Sequence, residues 1–172
     1  MQEPIKYAIF PTKWGYFGLA ATPKALLRTC LPGPGYEEIK ASLLKDLPAA
    51  QFDKTLFKAV QKRICAYFDA ETTEFGPDIP LDLTGSTLFQ AAVLTACRQL
   101  QFGRTTTYGQ LAKKLGRPAA ARAVANALAR NPLPLIIPCH RVLCANGKLG
   151  GFSAPGGTQL KARLLRHERH IT

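Results

Sequence analysis

The second half of this 172-residue chain is nearly devoid of acid. Residues 86–172 hold one carboxylate side chain, Glu168, against thirteen Lys and Arg, whereas residues 1–85 balance ten acids with ten bases. The whole net charge of +12 therefore belongs to the second half. Such an imbalance reads as the footprint of a polyanion. Nucleic acid fits it better than an anionic membrane, because no basic amphipathic helix bearing aromatics accompanies it. The five cysteines (Cys30, Cys65, Cys97, Cys139, Cys144) include no CxxC pair and are odd in number, which speaks against a disulfide framework and for a reducing compartment. Cys139, His140 and Cys144 lack any usual zinc spacing, so no metal is expected. No apolar run approaches a membrane span. Pro4, Lys6, Pro11 and Lys13 interrupt the N-terminal stretch before a secretory core can form. The expectation is a soluble, intracellular, cytoplasmic protein.

The length accommodates two small domains. The acidic, Pro- and Gly-rich stretch "ETTEFGPDIPLDLTG" (71–85) reads as a linker, dividing the chain into 1–85 and 86–172. "IKYAIF", "GYFGLAA" and "ALLRTCL" read as strands, followed by helices over 36–47 and 52–68, the latter with Leu56, Val60, Ile64 and Phe68 at four-residue spacing. In the second half Thr87 and Gln90 form a capping-box pattern ahead of a helix over 88–100, expected to bury Phe89, Ala92, Val93, Ala96 and Leu100. Helices over 108–115 and 119–130, separated by "GRP", resemble a helix-turn-helix. The second of these puts Ala121, Val124, Ala125 and Leu128 on one face, and Arg122, Asn126 and Arg130 on the other. Its alanines permit close approach to a phosphate backbone, and it offers few long polar groups to read bases.

The stretch "LPLIIPCHRVLCANGKLGG" (133–151) ends an apolar run with proline and then sets Cys139 beside His140. A free cysteine is ordinarily a small buried apolar group, which is the expectation for Cys30, Cys65, Cys97 and Cys144. Cys139 differs in having an ionisable neighbour, and a base or cation is what turns a thiol into a nucleophilic thiolate. Neighbouring side chains diverge in extended backbone, so His140 reaches Cys139 only through a water or an irregular turn. Asn146-Gly147 predicts a type I′ hairpin folding 139–144 onto 148–152. Thr158 is a candidate cap for a last helix in which Glu168 falls inside the apolar stripe of Leu160, Leu164 and Leu165. A buried acid needs a partner: either His140 or Lys161.

"PCHRV" (138–142), with "NPLPLII" before it, "NGKLGGFS" after it, "TTTYGQLA" (105–112), "AARAV" (120–124) and "LKARLLRHE" (160–168), resembles the signature of the O6-alkylguanine-DNA alkyltransferases, or methylated-DNA–protein-cysteine methyltransferases. The resemblance covers essentially all of 86–172; in the first 85 residues only "WGYFGLAAT" and "IPLDLTGS" carry it. It implies an α/β, ribonuclease H-like N-terminal domain and a winged helix-turn-helix C-terminal domain. It also implies single-turnover, irreversible transfer of an alkyl group from O6-alkylguanine in double-stranded DNA to a protein cysteine, with no cofactor. The DNA would be bound through the minor groove, largely without sequence preference, by a monomer. Matched residue by residue, the resemblance makes Cys139 the acceptor, His140 a base acting through water, and Glu168 the group that orients it. Asn131 would hold the active-site turn, and Tyr108 would assist the departing guanine. Arg122 would replace the extruded base in the stack, with Ala121, Ala125, Asn126, Arg130, Thr106 and Thr107 at the DNA. Tyr108, Val142, Gly150 and Ser153 would form the base pocket. The chain departs from the family pattern at Ala125, where glycine is usual, at Leu94, at Arg169 and in the spacer "SAPGG" (153–157). Three rivals stand beside this reading. A non-catalytic lesion binder would lack the acceptor, which Cys139 supplies; a cysteine hydrolase would use Cys139, His140 and Asn131; a transcriptional regulator would read sequence.

Overall fold

Short apolar runs punctuated by proline and glycine build the first sheet. The computed structural model describes residues 3–71 and 73–171, which divide into two units, Met1–Asp82 and Leu83–Thr172. In the first unit β1 (Lys6–Thr12), β2 (Gly15–Ala21) and β3 (Leu26–Gly33) form an antiparallel meander, and β4 (Gln51–Phe52) pairs in parallel with β1, giving the order β3-β2-β1-β4. The period of two sends Tyr7, Ile9 and Ala20 against Ile39 and Leu43 of α1 (Tyr36–Leu43). Phe17, alternating with them, stacks on Phe10 and on Phe68 of α2 (Lys58–Phe68).

Both helices of this unit are shorter than the sequence suggests. The second begins at Lys58 and not at residue 52, because Gln51 and Asp53 donate their amides to Ile5 and Tyr7. The Asp53 carboxylate then accepts from the Thr55 amide and hydroxyl at 2.9 and 2.6 Å, an Asx turn that competes with helix. Part of the supposed linker is also ordered into the unit. Leu26 bonds Pro80 and Asp82 at the edge of β3, Phe75 and Ile79 are buried, and Arg63 bonds Asp78 and the Glu74 carbonyl.

In the second unit α3 (Leu88–Arg98) starts at Thr87, whose hydroxyl accepts the Gln90 amide at 3.1 Å. The reciprocal half of the box is missing, because the Gln90 side chain donates to the Arg130 carbonyl instead. The buried face is Val93, Leu94, Ala96 and Cys97; Ala92 is exposed and Phe89 and Leu100 are half-buried, so the expected face was rotated. α4 (Tyr108–Lys114) has a complete capping box, Thr107 with Gln110, and α5 (Ala121–Ala129) follows after a left-handed Gly116. These helices pack on α3, and β5 (Thr106–Thr107) pairs in parallel with β6 (Val142–Leu143).

Between α5 and β6 the chain passes through a 3-10 turn, Cys139–Arg141. The Asn146-Gly147 turn is not type I′. Only Gly147 has positive φ, the Gly147 amide bonds the Cys144 carbonyl, and the Cys144 amide bonds the Lys148 carbonyl, which is a type I turn closed by a glycine bulge. The last helix, α6 (Gly157–Ile171), begins one residue before Thr158, so that threonine lies inside it.

Candidate active site

The 3-10 turn decides the geometry. In it Cys139, His140 and Arg141 are all buried, and α6 brings Glu168 up to the last two. His140 Nε2 lies 2.7 Å from Glu168 Oε1. Arg141 grips the same carboxylate, with Nε 3.0 Å from Oε2 and Nη2 3.0 Å from Oε1, and the Gly103 amide adds a donor at 3.2 Å. Arg141 is itself fixed by the Leu100 carbonyl, 2.6 Å from Nη1, and by the ring of Phe102. Burial pushes the Glu168 carboxyl upward, but hydrogen bonds and charge from His140 and Arg141 outweigh it and hold the acid at about 2. Burial pushes His140 below its usual range, against the pull of Glu168, so the imidazole is neutral in the fold. Its Nδ1 is buried without a protein partner.

Cys139 follows a turn that Asn131 builds. The Asn131 amide donates to the Ile137 carbonyl at 2.9 Å, and its oxygen accepts the Leu133 amide at 2.9 Å. Inside this loop Leu135 takes φ +76°, a left-handed conformation that a branched side chain rarely adopts. Burial pushes the Cys139 thiol up, opposed by a hydrogen bond from Asn131, by the charge of Lys161 and by the amides of Cys139 and His140. The thiol lines a cavity of about 350 Å³ together with Tyr108, Ala125, Asn126, Leu128, Ala129, Gly151, Phe152 and Ser153. Ser153 is tied across to α5 by its hydroxyl, which donates to the Ala129 carbonyl at 2.6 Å.

The structure thus gathers Cys139, Tyr108, Ala125, Asn126 and Ser153 around one cavity, with His140, Glu168 and Asn131 behind the thiol. Gly150 stands beside Tyr108: at its φ of +70°, a Cβ would come within 3.0 Å of the tyrosine hydroxyl. The Val142 carbonyl is occupied by Lys161 Nζ at 2.7 Å. Arg122 on α5 and Arg130 just after it are exposed and do not line the cavity, and Ala121 is half-buried. Thr106 and Thr107 are engaged at the start of α4, where both bond Gln110. Two residues at the site were not anticipated in these roles. Arg141 shares the carboxylate, and Lys161, offered as a partner for Glu168, instead bonds Val142 and Tyr108. The signal for Arg141 was in the sequence: a cation one residue after the histidine, facing the only acid of its half.

A family model described as the DNA-binding domain of 6-O-methylguanine DNA methyltransferase matches residues 88–170. A methylated-DNA–protein-cysteine methyltransferase of Mycolicibacterium paratuberculosis is 45% identical over 113 residues, 66% of this chain and 66% of its own. One from Methanosarcina acetivorans is 41% identical over 116 residues, 67% of this chain and 71% of its own. The matched segment thus spans about two thirds of the length of these relatives. The crystal structure of Mycobacterium tuberculosis OGT in complex with DNA superposes with a TM-score of 0.81 at 32% identity, covering 97% of this chain and 94% of that one.

Proposed function

The chain belongs to the methylated-DNA–protein-cysteine methyltransferase family, and from that premise we propose that it repairs DNA by moving an alkyl group from O6-alkylguanine onto Cys139, once per molecule. The observation that carries the assignment to Cys139 is the orphaned Nδ1 of a histidine whose other nitrogen is fixed by a buried carboxylate, in the same tight turn as a cavity-lining thiol.

The chemistry follows from those groups. His140 Nδ1 takes the thiol proton through one water, and the sulfur attacks the sp³ carbon in line. A C–S bond forms and the C–O6 bond breaks, its electron pair passing into the guanine. The purine is a poor leaving group as an anion, so a proton from the Tyr108 hydroxyl, at the cavity wall, completes it. The thioether has no easy hydrolytic route back, which makes the reaction stoichiometric. The scheme uses only the chain's own side chains.

A base inside a duplex cannot reach a thiol lining a cavity, so the nucleotide is extruded, and a weakened alkylated pair lowers that cost of a few kcal/mol. Arg122, exposed on α5, fills the gap it leaves, while Ala121, Ala125, Asn126, Arg130, Thr106 and Thr107 approach the backbone and the minor groove. The paucity of long polar residues on α5 supports binding without sequence preference. Two helices joined by a short glycine turn, with the β5–β6 pair alongside, support reading the second unit as a winged helix-turn-helix. The order β3-β2-β1-β4 supports a ribonuclease H-like reading of the first. DNA binding and alkyl acceptance belong to the second unit, and a monomer in the cytoplasm suffices for the whole reaction. No helix among the described residues is long and apolar enough to cross a membrane.

Intact-mass measurement after incubation with a duplex carrying one O6-methylguanine, followed by peptide mapping, tests the proposal. The expected result is a stoichiometric gain of one methyl on the peptide containing Cys139. Lesion binding with no mass gain would make the protein a lesion sensor instead.

A further inference from the structure

One buried charge of the second unit takes no part in that scheme. Lys161, one turn into α6, is 1% exposed, and no carboxylate among the described residues pairs with it. Neutral groups hold its ammonium. Nζ donates to the Val142 carbonyl at 2.7 Å and to the Tyr108 hydroxyl at 3.3 Å, and it lies 5.6 Å from the centroid of the Tyr108 ring and 6.0 Å from that of Phe152. Glu168, the one acid on the same helix, is spent on His140 and Arg141. Burying an ammonium with no counter-ion is strongly unfavourable, and the arrangement makes sense only if an anion arises there in the course of function.

The groups that face Lys161 and are able to become anions are Tyr108 from α4, Cys139 from the 3-10 turn, Cys144 from the turn after β6, and Cys97 from α3. Arg141 adds to the positive side of the same field, and His140, neutral at rest, joins it only after taking the thiol proton. Of the four acids only Cys139 and Tyr108 line the cavity. We propose that Lys161 is a positioning residue for alkyl transfer, the counter-charge against which the Cys139 thiol ionises and the anchor that holds the Tyr108 hydroxyl toward the departing base. This rests on Cys139 being the acceptor. Lys161 keeps its proton during the attack: the thiol proton goes to His140, and the proton gained by the base comes from Tyr108. The phenolate so formed is paired with the ammonium until solvent reprotonates it.

A lysine kept for function and a lysine kept for structure make opposite forecasts. Replacing an unpaired buried charge by an uncharged stem relieves its desolvation but removes a donor from the buried Val142 carbonyl, so the change in stability is small and of either sign. Lys161→Met and Lys161→Gln, the latter retaining a donor without the charge, are compared with the wild-type chain by three measurements. These are the single-turnover rate on O6-methylguanine duplex against pH, the rate of iodoacetamide capture at Cys139 against pH, and the thermal midpoint. Both variants are expected to transfer methyl about tenfold more slowly at neutral pH, with both rate profiles moved up by about one pH unit and a rate loss larger than any change in thermal midpoint explains. Profiles unmoved in pH, or a rate loss that merely follows a lower thermal midpoint, would overturn the proposal. Peptide mapping of the wild-type chain separates the two levels. No methyl on Cys139 defeats the acceptor reading itself, whereas a methyl there with unmoved profiles defeats only the role of Lys161.

Discussion

The carboxylate of Glu168 decides which nitrogen of His140 carries the proton. Oε1 lies 2.7 Å from Nε2, and an ionised carboxylate only accepts, so Nε2 is the N–H and the buried, unpartnered Nδ1 holds the lone pair. Glu168→Gln lets an amide donate to Nε2 instead, which shifts the proton to Nδ1 and removes the base. Methyl transfer is expected to slow by about 10²-fold or more in a single-turnover assay. The same variant leaves Arg141 buried without its anion, a loss of about 3–5 kcal/mol in denaturant melts. A Gln variant as fast as wild type would remove Glu168 from the orienting role.

Stability should fall in acid in two stages. His140 is held below its usual 6.5 by burial, so below that pH the unfolded chain binds a proton that the fold refuses, and stability drains away. Glu168, at about 2 in the fold against an ordinary 4.5, contributes in full above 4.5 and loses its contribution as the pH falls toward 2. Thermal midpoints measured from neutral pH downward should therefore decline below about 6.5 and steepen below about 4.5. His140→Gln should flatten the first limb. A wild-type midpoint that stays level through both ranges would contradict the burial of both groups.

Asn131 spans the loop ahead of the thiol with one donated and one accepted bond, to Ile137 and from Leu133. Asn131→Ala leaves the Leu133 amide unpaired and the Ile137 carbonyl with the Cys139 amide as its remaining donor, at a cost of about 1–3 kcal/mol. Because Leu135 is held at positive φ within that loop, relaxation will move Cys139. Transfer should slow by more than the stability loss accounts for, as seen when the rate is measured well below the melting temperature. An unchanged rate would make Asn131 a purely structural turn residue.

Arg122 is exposed on α5, one turn before Ala125 and Asn126 of the cavity wall, and does not itself line the cavity. Arg122→Ala is expected to slow transfer from duplex DNA while leaving transfer from single-stranded DNA near wild type, because only the duplex has a gap to fill. Equal slowing on both substrates would assign the arginine to phosphate binding alone. Affinity for duplex DNA should weaken steeply as salt rises.

The sequence discloses the site's members better than their partnerships. One acid among thirteen bases, placed in an apolar helical stripe, is legible as a buried carboxylate, and Glu168 is one. The angular position of Lys161 suggests it as a partner, yet seven residues separate the two. Two turns of rise, roughly 10 Å, put the ammonium beside Tyr108 and leave the carboxylate to the 3-10 turn. The contact of Arg141 needs the tight turn as well: in an extended strand it would share a side with Cys139, whereas the turn brings it round to Glu168 with His140. Strands β1 to β3 are readable because proline, lysine and glycine interrupt them; α2 is misread at its start because the four-residue spacing continues through Leu56, which is buried in a turn.

The 3-10 turn Cys139–Arg141 has a bearing on how such a protein diverges. In the proposed scheme three successive residues are acceptor, base and clamp on Glu168, so inserting or deleting a single residue there would displace all three together. The cavity's far wall is a different case, since residues 151–153 are tied to α5 at Ser153 and continue into the glycine pair that opens α6. Length change in that segment moves one wall and leaves the reacting atoms in place. Descendants tuned to different alkyl groups should therefore differ in loop length after Gly151, while keeping the spelling of the turn.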